Sequence, residues 1–294
     1  MEDTYKNIVG LMDPPPYHWV GDGFRVHNFF PALAGIGVQG MSPFFLLDYG
    51  AKFNFPPSEK PRGVGPHPHR GIETVTIAYH GRVAHHDSTG NAGVIGEGDV
   101  QWMTAGGGIL HKEYHDKEYS RNGGLFQMVQ LWVNLPAKYK MTPAKYQAIE
   151  NGRMGKYLSE DKKSSADIIA GEFKGVKGPA FTFSPVNLFN FRMLKEAEEI
   201  LSFPESYNAG ILVPEGGIIV NDSTEVSENQ FVYFGHRGID IKVKAQSNSV
   251  ILVMSGEPLN EPIAPHGPFV MNTKEEIQQA YEDYYNGKFG YLED

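Results

Sequence analysis

The sequence predicts an all-β, antiparallel protein, and three observations carry that prediction. From Val20 onward short apolar runs are interrupted by Gly, Pro, Asn and Asp, and runs bounded by turn formers read as strands. The composition is 40% apolar and 12% aromatic over 294 residues, which is globular and long enough for one large domain or two ordinary ones with a real core. The clear helix signal comes late: Thr273-Lys274-Glu275-Glu276 forms a capping box, and Ile277, Ala280, Tyr281 and Tyr284 follow at helical spacing before Gly287.

In chain order, residues 1–19 contain Pro14-Pro15-Pro16 and read as an arm lying on the body or as an exposed tail, with His18 a surface histidine. Strands are expected over Phe24 to Phe30, Phe44 to Asp48, Glu73 to His80, Arg82 to Asp87, Asp99 to Ala105 and Phe126 to Leu135. Trp102 and Met103 belong in the core, or wall a pocket. Ala137 to about Lys163 is rich in Lys, Tyr, Ala and Glu, and Lys162-Lys163-Ser164-Ser165 reads as an exposed loop. A second series of short runs starts near Ala166 and includes Phe181 to Phe183, Val186 to Met193, Tyr207 to Val213, Gly216 to Val220, Phe231 to Phe234 and Ser249 to Val253. Leu194 to Leu201 is locally ambiguous, because Ala, Glu and Leu favour helix.

Residues 66 to 113 carry the chemistry. Side chains two apart on a strand share a face, so His67 pairs with His69 and His111 with Glu113. If both ends lie on neighbouring strands, three imidazoles and one carboxylate converge. That set suits a divalent transition metal such as iron, copper, nickel or zinc rather than calcium or magnesium. Gly106, Gly107 and Gly108 before the second pair allow close backbone approach. Glu73 shares the parity of His67 and His69 and is an alternative ligand to Glu113. The same alternation puts Val75, Ile77 and Tyr79 on the metal side, giving an apolar interior suited to an aromatic substrate. His85 and His86, being adjacent, face opposite ways and make a poor second site. His115 shares the parity of His111 but sits in the polar run His115-Asp116-Lys117-Glu118, so it is expected in solvent. The second half has only His236 and His266, and no matching metal set.

The absence of cysteine excludes disulfides and thiolate ligands. A net charge of −9 offers no field for phosphate backbones, so direct nucleic-acid binding is not expected, and it suits a soluble cytoplasmic protein. Met1 to Gly10 has no basic region before an apolar run, so no secretory signal is expected. The apolar stretch Phe29 to Tyr49 is too broken by Pro, Gly and Asp to span a membrane.

The run from His67-Pro68-His69-Arg70-Gly71 to Thr76, with Gly98 to His111, resembles the signature of the pirin family of cupins. Phe44 to Asp48 and His266 to Thr273 match as well, and the likeness extends from about Val20 to Gly287. The resemblance implies a bicupin, two stacked antiparallel β-barrels (double-stranded β-helices) with a short C-terminal helix. The implied boundaries are 20–150 for a metal-binding barrel and 151–294 for a barrel without metal that ends in the helix, with a crossover over Ala137 to Lys163. A repeated barrel also makes Leu194 to Leu201 a strand. By the same resemblance His67, His69, His111 and Glu113 are the metal ligands, in place of the general cupin choice of Glu73. Fe(II) is the expected ion, with Ni, Mn, Cu, Co and Zn as alternatives. The implied activity is ring opening of flavonols such as quercetin with O2, with Glu113 also acting as general base. The alternative implied role is an iron-bearing, redox-responsive protein that acts through a protein partner.

Overall fold

The computed structural model describes residues 5–31 and 36–293. Residues 1–4 of the predicted arm, 32–35 of the stretch Phe29 to Tyr49, and 294 lie outside it. The chain divides into two units, each formed from segments distant in sequence. The N-terminal barrel comprises 15–39, 44–151 and 259–294, and the C-terminal barrel comprises 1–14, 40–43 and 152–258.

In the N-terminal barrel a seven-stranded antiparallel sheet runs in the order Lys145–Ile149, Val100–Thr104, Ile72–His80, Gly124–Asn134, Phe44–Phe55, Phe24–Phe30 and His18–Val20. A four-stranded sheet runs Gly63–His69, Ile109–His115, Val83–Asp87 and Ala92–Ile95. The C-terminal barrel repeats this plan. Its seven strands are Ile8–Met12, Phe231–Phe234, Asn208–Glu215, Ser249–Gly256, Val186–Met193, Ser164–Ala170 and Gly155–Leu158, and its four are Glu198–Ser202, Asp240–Ala245, Gly217–Val220 and Thr224–Ser227. Leu194 to Leu201 therefore ends in strand, as the repeat implies, whereas Phe181 to Phe183 forms none.

The predicted arm is built into sheets rather than lying free. Ile8–Met12 pairs with Phe231–Phe234, and His18–Val20 pairs with Phe24–Val26. Lys6 anchors the first of these segments through its Nζ, which donates to the carbonyls of Glu205, Tyr207 and Gly235 at 2.9, 3.2 and 3.3 Å. The helix Lys274–Tyr285 has the expected capping box, Thr273 with Glu276. It differs from a simple cut at residue 150 in belonging with the N-terminal barrel, where Ala280, Phe269 and Phe289 form a buried cluster. Non-local strand and helix partners more than 100 residues away decide this assignment, and local pattern carries no signal of them. Neither described helix is long and apolar enough to cross a membrane.

Candidate metal centre

His67 and His69 lie on Gly63–His69, and His111 lies opposite on Ile109–His115, paired in register with His67. The ligand atoms of His67, His69 and His111 come within 4.8 Å of one another. Among the described residues no other group of His, Asp or Glu is spaced to hold a metal.

Two of the three imidazoles are aimed from behind. His67 Nδ1 donates to the Gly65 carbonyl at 2.8 Å, and His69 Nδ1 to the Pro268 carbonyl at 3.2 Å. In both rings Nε2 is thereby left as the metal-binding nitrogen. Burial first, then the neighbouring His67, lowers His69 to about 3, against the Pro268 bond, and His111 is held well below its ordinary value by the same two causes. Neutral imidazoles are the form that binds metal. His111 is 0% exposed, yet among the described residues neither of its ring nitrogens has a hydrogen-bond partner. A buried imidazole with both nitrogens orphaned is costly unless a ligand completes it. The residues present fit a divalent transition metal.

Two glycines shape this end of the barrel. Gly71 has φ +80°, and a Cβ there would lie 2.1 Å from the Val270 carbonyl oxygen. At Gly71 the chain leaves the four-stranded sheet and re-enters the seven-stranded one. Gly108 has φ +132° and faces Phe289, which a Cβ would meet at 2.3 Å. Arg70 ties the same region down, donating from Nε to the Gly107 carbonyl at 2.8 Å and from Nη2 to Asp283 Oδ2 at 2.9 Å.

Glu113 points inward and is 3% exposed, but its carboxylate is not part of the three-histidine cluster. The pairing with Gly63–His69 shifts between His111 and Glu113, so Glu113 stands opposite Val64. Thr76 Oγ1 and Gln101 Nε2 donate to its Oε1 at 3.0 and 3.2 Å, and Gln130 Nε2 donates to its Oε2 at 2.7 Å. A carboxylate has about four acceptor positions, so one remains, on Oε2.

Glu73 lies elsewhere. It alternates with Thr74 and Thr76 on its strand, and Thr104 Oγ1 donates to it at 2.7 Å. Burial raises its pKa to about 7, against the Thr104 bond. Since Thr76 is the residue that reaches Glu113, Val75, Ile77 and Tyr79 turn to the opposite face of the sheet from the site. The expected residues are therefore wrong: the parity of His67 and His69 does not carry past the turn at Gly71, this strand meets the site with Thr76, and the apolar part of the wall comes from Val20, Phe24, Val26, Val64 and Met128 instead.

His115 is also corrected. It is fully buried, donates from Nε2 to the Gly23 carbonyl at 2.8 Å, and is ringed by Phe24, Phe55, Tyr119 and Phe126. Burial lowers it to about 4. The strand's alternation continues through His115, and the charged residues that follow start a helix at Lys117 instead. Trp102 and Met103 are fully buried, and His18 is exposed.

Sequence reasoning missed a polar relay behind the site. His85 is buried, its ring 5.5 Å from that of His111 and stacked on Tyr146. Gln101 Nε2 donates to His85 Nδ1 at 3.1 Å, so Nε2 bears the proton and faces Asp87 Oδ2 at 3.4 Å. Burial pushes Asp87 up, but bonds from His85, Thr89 and Asn91 outweigh it and hold the carboxyl well below the usual range. His86 turns away and bonds Tyr114. The available signal was single polar residues flanked by apolar ones in buried strands: Asp48, Gln101 and Gln130.

A cavity of about 30 Å³ adjoins the site, lined by Val20, Phe24, Val26, Val64 and Met128 with His67, Glu113, Gln130 and Asp48.

The chain matches the Pirin domain over residues 23–133 and the Pirin C-terminal cupin domain over 188–290. It is 44% identical over 284 residues to a Pseudomonas aeruginosa protein named "Putative quercetin 2,3-dioxygenase PA2418", covering 97% of this chain and 98% of that one. It is 38% identical over 274 residues to a pirin-like protein of Solanum lycopersicum, covering 92% and 89%. The crystal structure of quercetin 2,3-dioxygenase from Acinetobacter baumannii superposes with a TM-score of 0.93 at 47% identity, covering 98% and 99%. Domain matches over both halves and relatives spanning nearly the whole length agree with the two-barrel fold, and the chain belongs to the pirin family of cupins.

Proposed function

We propose that this chain is a metal-dependent dioxygenase that opens flavonols such as quercetin with O2. The observation that carries the proposal is the three-histidine cluster, in which buried His111 finds no partner among the described residues for either ring nitrogen. His67, His69 and His111 would hold the ion, with the free acceptor position of Glu113 as fourth donor; Fe(II) is the ion we expect. Such an ion would supply open coordination positions for a flavonol oxygen and O2. The rest is the work of the protein. Thr76, Gln101 and Gln130 fix the carboxylate of Glu113, and Val20, Phe24, Val26, Val64 and Met128 give the rings an apolar wall and exclude water. The relatives named for quercetin 2,3-dioxygenase support the substrate class.

The cavity of about 30 Å³ has room for a water or a dioxygen molecule, so a three-ring flavonol needs the wall to open. The part suited to move is His18–Val20, a three-residue strand at the edge of its sheet, paired on one side only.

Protein purified without added metal and loaded anaerobically with Fe(II) should consume O2 with quercetin and release one carbon monoxide per ring opened. His111→Ala should lose both the metal and the uptake. Stoichiometric metal with no uptake on any flavonol would overturn the proposal and favour action through a protein partner.

A further inference from the structure

We infer that Asp48, rather than Glu113, takes the proton from the flavonol 3-hydroxyl; this rests on the dioxygenase reading above. Asp48 lies on Phe44–Phe55, between Asn28 and Gln130 on the neighbouring strands. It lines the same cavity as His67 and Glu113 and is 7% exposed. Asn28 Nδ2 donates to its Oδ1 at 2.7 Å, while Oδ2 takes no hydrogen bond from a described residue.

The two cavity carboxylates therefore have different capacity. Glu113 already accepts from Thr76, Gln101 and Gln130. Its one remaining position cannot serve both a metal and a proton. Asp48 has a whole oxygen available. Burial raises its pKa, against the Asn28 bond and nearby His18, so it is a stronger base than an exposed aspartate. The titratable groups that face it are His18 on the edge strand and His67 and Glu113 across the cavity.

The step balances simply. A lone pair on Asp48 Oδ2 takes the hydroxyl proton, and the O–H electron pair stays on the substrate as the flavonolate anion. Dioxygen then oxidises the anion, one carbon leaves as carbon monoxide, and the ring-opened product is a carboxylate. That carboxylate takes the proton back from Asp48.

The test reads ionisation apart from turnover. Full-length protein loaded with Fe(II) is mixed with quercetin without oxygen, and the red-shifted absorbance of the flavonolate is recorded for the parent, Asp48→Asn and Asp48→Glu. O2 uptake and bound metal are then measured on the same samples. At neutral pH Asp48→Asn should keep full metal and bind quercetin in its neutral form, with turnover down about a hundredfold. Asp48→Glu should restore part of the shift, which excludes misfolding as the cause. Flavonolate formation undiminished in Asp48→Asn would overturn the assignment to Asp48 while leaving the dioxygenase reading intact. Asp48-dependent ionisation in a parent that consumes no O2 would uphold the assignment and overturn that reading. A parent that leaves quercetin neutral would overturn the assignment as well.

Discussion

In the C-terminal barrel the second strand of the four-stranded sheet gives Ile241, Val243 and Ala245 to the interior; in the N-terminal barrel the corresponding strand gives His111, Glu113 and His115. The same substitution of chemistry recurs strand by strand. Ile211 and Val213 stand on the strand that corresponds to the one carrying Thr76, Phe189 and Phe191 on the one that corresponds to Asp48's, and Ile251 and Val253 on the one that corresponds to Gln130's. One interior is closed mainly by apolar packing, with Glu199 on its edge strand held by Tyr157 and Lys174. The other sets a network of donors and acceptors beside an apolar cluster, and among the described residues it leaves His111 without a hydrogen-bond partner. A shared strand layout thus fixes where side chains converge, and their identity decides whether the interior packs or binds.

The largest effect that separates the two barrels should come from the packed one. Phe191 is fully buried and touches Phe173 and Phe189 edge to face or at an angle near it. Phe191→Ala should cost about 3–5 kcal/mol in chemical denaturation, the range for deleting a buried aromatic. Metal bound per folded molecule should stay unchanged. An equal loss of metal would break the division of labour between the barrels.

A smaller effect tests the face of the sheet turned away from the metal. Glu73 has a folded pKa near 7 against an ordinary value of 4.5. The folded state therefore binds the extra proton between those values, and its stabilising contribution is complete below about pH 4.5. It is lost as pH rises through 7, by about 3 kcal/mol. Glu73→Gln, neutral at every pH, should flatten that dependence and be the more stable protein at pH 8, with full metal content. Loss of metal in this variant would restore Glu73 as a ligand.

The three histidines were legible because their spacing survives in regular strand, and the paired ends proved to be neighbours in register. The helix was legible from its capping box. Face assignment failed where the strand was interrupted. The positive φ of Gly71 restarts the alternation, so Thr76 rather than Val75 meets the site. For His115 the error was the opposite one: charged neighbours suggested solvent, while an unbroken strand carried the ring into an aromatic nest. Domain limits were not legible from local pattern, since Ile8–Met12 finds its partner strand over 200 residues later.

The smallest effect concerns the network itself. Gln130 Nε2 holds Glu113 Oε2 at 2.7 Å and lies 3.4 Å from Thr76 Oγ1. In the C-terminal barrel the corresponding strand turns Ile251 and Val253 into the core, so Gln130→Leu moves one position of the first interior toward the second. Removing the donor leaves Glu113 fixed through Oε1 alone, free to rotate about the bonds to Thr76 and Gln101. Loss of such an orienting partner lowers metal affinity about 10–100-fold, readable by chelator competition with Co(II) as the probe. Leucine is close to glutamine in volume, so unfolding should change little beyond the one lost hydrogen bond, about 1 kcal/mol. Unchanged Co(II) affinity would mean that Glu113 does not serve the metal, and the site would then be three histidines beside a carboxylate held for another purpose.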